Sequence, residues 1–215
     1  MAEVLAVQRP GAPAVVAPVA DALADLLGVE VSTTSEEGEA VLRHLQRQDT
    51  VLGVVARDDP LSWRIATAAA KPVVLVPPPG TPAPSKISRV LAPLDGTLES
   101  AGAVAEALKL FPHSELVVLH VFDRDTVPPF WDQAAHARRD WEHEFRARFC
   151  TPPDARVELR NGAPEEHVAQ VAAEEHAHLI ALGWSQGLGD GRARTVRGTV
   201  HDATVPVILV PLRHD

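Results

Sequence analysis

Pro72-Val73-Val74-Leu75-Val76-Pro77 and, at an offset of 134, Pro206-Val207-Ile208-Leu209-Val210-Pro211 decide how this chain of 215 residues folds. Each is a four-residue apolar run closed by proline at both ends. Four residues are too few for a helix, and an apolar side chain at every position means that both faces are covered. That is the pattern of a strand buried in a parallel sheet. Working upstream in either half, short β-branched runs alternate with alanine-rich segments of helical period, which predicts strand–helix–strand crossovers.

Strands are predicted at Val4–Val7, Val29–Ser32, Val51–Ala56 and Val73–Val76, then at Arg89–Leu94, Leu116–Val121, Arg156–Leu159, His178–Leu182 and Val207–Val210. Helices are predicted near Val15–Leu27, Glu36–Gln46 and Ser62–Ala69, then at Ser100–Leu110, Ala134–Phe149, Pro164–Glu175 and about Val196–Ala203. The proline-rich stretch 78–85 reads as a semi-rigid connector. The expected fold is therefore α/β: two open, mainly parallel α/β units at residues 1–77 and 86–215, the first truncated. Val4–Val7 matches Val90–Pro93 at an offset of 86, and Val29-Glu30-Val31 matches Val157-Glu158-Leu159 at 128. By that matching the second unit holds one extra strand–helix pair early on. Two apolar terminal runs are too hydrophobic to stand as free edges, so Val73–Val76 and Val207–Val210 are expected to pair with each other. This gives an intramolecular pseudo-dimer, with further homodimerisation open.

With 46% hydrophobic and 23% charged residues the composition is that of a soluble globular chain. A net charge of −9 argues against general nucleic-acid binding, which relies on cationic neutralisation of phosphates. No apolar run is long enough to span a membrane. The first residues lack a basic region followed by an apolar core, and Cys150 is the single cysteine. Both features lead us to expect a cytoplasmic location.

The segment 183–199 holds five glycines and three arginines: Gly183, Gly187, Gly189, Gly191, Gly198, Arg192, Arg194 and Arg197. A glycine-rich turn after a parallel strand exposes backbone N–H groups to an anion, and a following helix N-terminus favours negative charge. A flexible surface loop is the plainer reading of the same residues.

From Lys86 to Leu212 the chain resembles the universal stress protein family. The resemblance is carried by Val90-Leu91-Ala92-Pro93-Leu94-Asp95-Gly96, Leu119-His120-Val121, Gly162-Ala163-Pro164, Leu179-Ile180-Ala181-Leu182-Gly183, Gly198-Thr199-Val200 and Val205–Pro211. It implies a stress-response binding or regulatory protein with ATP or a related adenine nucleotide as ligand, with or without Mg. The implied contacts are Pro93, Asp95, Val121 and Leu182 at strand ends, and Gly183, Gly187, Gly189, Arg192, Gly198, Thr199 and Val200 around the phosphates. Nucleotide-binding members read Gly-x₂-Gly-x₉-Gly-Ser/Thr. Here Gln186 stands at the second glycine, and Gly183 to Gly198 is two residues too long. Asp95 alternatively serves as a turn or helix-cap residue.

The first half lacks this equipment: Arg9 stands where Asp95 would, and Val55-Ala56-Arg57-Asp58-Asp59-Pro60 replaces the glycine loop. No catalytic group or metal site is expected, His176-Ala177-His178 lacking a third ligand. The alternative to nucleotide binding is an interaction protein with a drifted loop. An ATP-hydrolysing or adenylating enzyme is the weakest reading, for want of groups to position a second substrate.

Overall fold

The computed structural model describes residues 1–36, 38–80, 84–122, 135–150, 155–187 and 192–212, with the backbone alone at 135–137 and 192. Strands and helices alternate along the chain. The first half runs β1 (Glu3–Val7), α1 (Val16–Leu27), β2 (Glu30–Thr34), α2 (Glu39–Leu45), β3 (Thr50–Ala56), α3 (Ser62–Ala68) and β4 (Val73–Val76). The second runs β5 (Arg89–Pro93), α4 (Leu98–Leu108), β6 (Glu115–Phe122), α5 (Ala135–Phe149), β7 (Arg156–Asn161), α6 (Pro164–Glu174), β8 (Leu179–Trp184), α7 (Arg192–Asp202) and β9 (Val207–Pro211).

Local chemistry sets the helix ends. Gly28 closes α1 in the left-handed conformation, its N–H reaching the carbonyls of Ala24 and Asp25. The Thr97 side chain caps α4 by accepting from Ser100 N–H. Pro164 opens α6, where its missing N–H costs nothing.

All nine strands form one sheet in the order β2-β1-β3-β4-β9-β8-β5-β6-β7. Neighbours are parallel except at the centre, where β4 and β9 run antiparallel with Val73 opposite Leu209, Val74 opposite Ile208 and Leu75 opposite Val207. The two proline-bounded runs thus meet, as their apolar character predicts. Helices α1, α4 and α5 cover one face of the sheet, and α2, α3, α6 and α7 cover the other.

Two sequence expectations change. The β2 strand pairs with β1, Glu3 opposite Glu30, as β6 pairs with β5, Arg89 opposite Glu115. So β2 is the counterpart of β6 and not of β7, and the unit peculiar to the second half is α5 with the outer strand β7. A three-residue Val-Glu-Val match was too short to outweigh pairing partners. Among the described residues helix α7 runs over Arg192–Asp202, reaching back four residues further than expected, so Arg194 joins Arg197 on a helix. Arginine is a good helix former, and an arginine-rich segment after glycines was misread as loop.

Candidate nucleotide site

In the second half the chain leaves β5 toward β6 on one side and returns to β8 on the other. This reversal of strand order opens a crevice at the carboxyl ends of the strands, the usual ligand position in open α/β sheets. A cavity of about 480 Å³ lies there, within the roughly 300–1,000 Å³ typical of small-molecule sites. Its floor is Leu119 to Phe122 of β6 together with Leu182 and Gly183 of β8. Pro93, Leu94 and Asp95 follow from β5, Ser100 comes from α4, Pro164 and Val168 from α6, and Thr195 and Val196 from α7.

Of the residues singled out in the sequence, Pro93, Asp95, Val121, Leu182 and Gly183 line this cavity. Asp95 also holds its own turn: one carboxylate oxygen accepts from Thr97 N–H at 3.0 Å and from the Thr97 hydroxyl at 2.7 Å. Asp95 is therefore a turn residue that also lines the cavity. Gly183 is closely packed: a Cβ there would lie 3.1 Å from Leu212 Cδ2 and 3.4 Å from Ala103 Cβ.

The other phosphate candidates sit elsewhere. Gly198, Thr199 and Val200 are more than a turn inside α7, so the expected helix N-terminus does not fall on them. A Cβ at Gly198 would lie 2.7 Å from Glu165 Cβ, which makes that glycine a contact point between α6 and α7. Thr199 and Val200 are buried, and Thr199 Oγ1 has no hydrogen-bond partner. Gly187 is exposed with open space around it. Gly189 lies outside the described residues, as does the side chain of Arg192. Arg194 points its guanidinium to Glu165 at 4.0 Å, and Arg197 is exposed.

Gln186, at the place of the family's second glycine, takes the glycine-like φ of 59°. Its side-chain amide donates to the Ala69 carbonyl at 2.6 Å, and the Trp184 indole N–H donates to Ala66 O at 3.0 Å. Both acceptors belong to the C-terminal end of α3, where carbonyls lack intrahelical partners. The contact is reciprocated: Arg57, just past β3, donates to the carbonyls of Val200, His201 and Ala203 at the end of α7. The loop after each half's inner strand therefore caps a helix of the other half. At the first half's own strand reversal, between β1 and β3, Arg9 and Asp59 form a 2.6 Å ion pair with the Asp59 side chain buried.

Sequence reasoning missed three polar wall residues, Ser100, His120 and Thr195. His120 stands among Phe122, Trp141 and Phe145, with ring centroids 4.7, 5.3 and 4.8 Å away. Its Nδ1–H donates to Leu94 O at 2.8 Å, leaving Nε2 as the acceptor. Burial lowers its pKa, against the opposing pull of the Leu94 carbonyl and Asp95. The signal for His120 was its place at the end of a predicted strand. Among the described residues no cluster of His, Cys, Asp and Glu is arranged to hold a metal, and no helix is long and apolar enough to cross a membrane.

The universal stress protein family model matches residues 86–211. A candidate universal stress protein of Pseudomonas aeruginosa UCBPP-PA14 has a similar structure, with TM-score 0.59 at 17% identity over 98% of this chain and 82% of that one. A universal stress protein of Archaeoglobus fulgidus DSM 4304 gives 0.59 at 13% identity, covering 99% of this chain and 86% of its own. A universal stress protein solved in complex with cAMP gives 0.42 at 20% identity over 59% of this chain and 98% of that one. No curated protein matches the chain.

Proposed function

The chain belongs to the universal stress protein family, and from that premise we propose that it is a stress-response binding protein holding an adenine nucleotide in its second half. We place the ligand, ATP or a relative, in the cavity at the ends of β5, β6 and β8. The reading takes residues 1–77 and 86–215 as two related units joined by 78–85, associated as a pseudo-dimer. It places the protein in the cytoplasm.

One observation carries it: the second half has an open cavity at its strand reversal, whereas at the equivalent place in the first half Arg9 and Asp59 are joined in an ion pair. The cavity wall combines apolar surface for a base, from Val121 and Leu182, with Asp95, Ser100, His120 and Thr195 as polar contacts. These residues suit the nucleoside end of the ligand. Backbone N–H groups in the first turn of α7 would face its phosphates. The reading is one of binding rather than turnover.

Calorimetric titration with ATP tests this, together with heat release of any nucleotide from freshly purified protein. We expect at most one nucleotide per chain, and weaker binding for Asp95→Ala than for Asp58→Ala. Absence of both heat and thermal shift at millimolar ATP would leave the second reading, an interaction scaffold. That reading is favoured by Trp184 and Gln186, which commit the start of the glycine loop to α3.

A further inference from the structure

Ser100 is the third residue of α4, and its backbone N–H is used by the Thr97 cap at 3.2 Å. Its side chain is another matter. The residue is 5% exposed, and its Oγ is buried without a hydrogen-bond partner. Yet Ser100 forms part of the cavity wall. A buried hydroxyl left unpaired is costly, so native proteins nearly always satisfy such groups with protein, ordered water or ligand. Neighbouring protein atoms do not do so here.

The place of the residue narrows what it meets. The Asp95 turn leads through Thr97 directly to Ser100, and on the other side the Ser100 Cα lies 3.7 Å from where a Cβ on Gly183 would stand. Ser100 thus sits between Asp95 and the end of β8. The Asp95 carboxylate repels phosphate oxygens, so this end of the cavity suits the uncharged part of a ligand. A hydroxyl both donates and accepts, matching a ribose hydroxyl or a ring nitrogen.

We propose that the Ser100 hydroxyl is a binding contact for the nucleoside portion of the ligand, satisfied when the cavity is filled. The proposal rests on the nucleotide reading above, and it adds a residue that the glycine-loop pattern does not contain.

The test compares wild type with Ser100→Ala, titrating each with ATP and with adenosine and melting each without ligand. The variant should bind both compounds roughly three- to tenfold more weakly, the effect of one lost hydrogen bond. Its ligand-free melting temperature should be unchanged or higher, since no internal bond is removed. Equal affinity in wild type and variant would overturn the proposal while leaving the nucleotide site standing, the hydroxyl then being held by water alone. Weakening of ATP but not adenosine would overturn it too, by moving the contact to the phosphates. A markedly lower ligand-free melting temperature would show a partner within the protein and do the same. If wild-type protein binds neither compound, both the proposal and the nucleotide reading fall.

Discussion

Trp184 donates its indole N–H to the carbonyl of Ala66 at 3.0 Å, across the boundary between the two halves. The strand that floors the cavity is therefore fastened to a helix of the other half. Trp184 is 1% exposed and tilts against Trp63 with ring centroids 6.0 Å apart. In Trp184→Phe the aromatic packing is largely kept and the donor is lost. The variant should lose about 1–2 kcal/mol of stability, read from a denaturant melt. A variant as stable as wild type would mean that the hydrogen bond contributes nothing.

Gly198→Ala sets two effects against each other. In an ordinary helix the change would gain up to about 1 kcal/mol. Here the new methyl would approach Glu165 Cβ to 2.7 Å, and Glu165 Cα to 3.6 Å, atoms close to the backbone of α6 that cannot swing away. Overpacking of this kind costs about 1–3 kcal/mol. The net result should be a lower melting temperature without any nucleotide present. A rise would show that α6 and α7 part easily.

Val74 and Ile208 face each other in the central antiparallel pair, and each is fully buried. Replacing both by Asp sets two carboxylates side by side with no cation or water to pair with. Penalties for unpaired buried charge are several kcal/mol each, so the double variant should not fold. Circular dichroism of the purified variant, or failure to recover it soluble, reads this out. A native-like melt would disprove that the seam is a closed, dry contact.

Stability should also respond to pH through His120. Burial holds its pKa below the ordinary 6.5, so the unfolded chain takes up the proton at a higher pH than the native one. The stabilisation this gives is complete above the ordinary value, and falls away as pH drops through the folded one. Wild type should therefore lose stability on acidification faster than His120→Gln. The gap between their melting temperatures should narrow from about pH 8 to about pH 5, across the histidine range. A constant gap would contradict the shift.

Most of the fold could be read from the sequence, because buried parallel strands are short apolar runs and their helices keep a clear period. The seam was legible for the same reason: Pro72–Pro77 and Pro206–Pro211 carry no polar position to turn toward water. The identity of β2 was not legible, since position in a sheet depends on which neighbour supplies the hydrogen bonds, and five residues of strand do not encode that. In the site, Pro93, Asp95, Val121, Leu182 and Gly183 were found because they end strands. Ser100 was missed because an unpaired hydroxyl is a property of the packed molecule alone. Gln186 gave a signal, a glycine position filled by another residue, but its anchor on Ala69 lies over a hundred residues away.

The exchange of helix ends has a thermodynamic consequence. Arg57 holds three carbonyls at the end of α7, Trp184 and Gln186 hold the end of α3, and β4 borders β9. Melting either half strips its neighbour of caps and of a strand partner at once, so an intermediate with one half folded is penalised on every count. The chain should unfold in one calorimetric transition, with van't Hoff and calorimetric enthalpies in agreement. The first half is then retained as half of a cooperative unit.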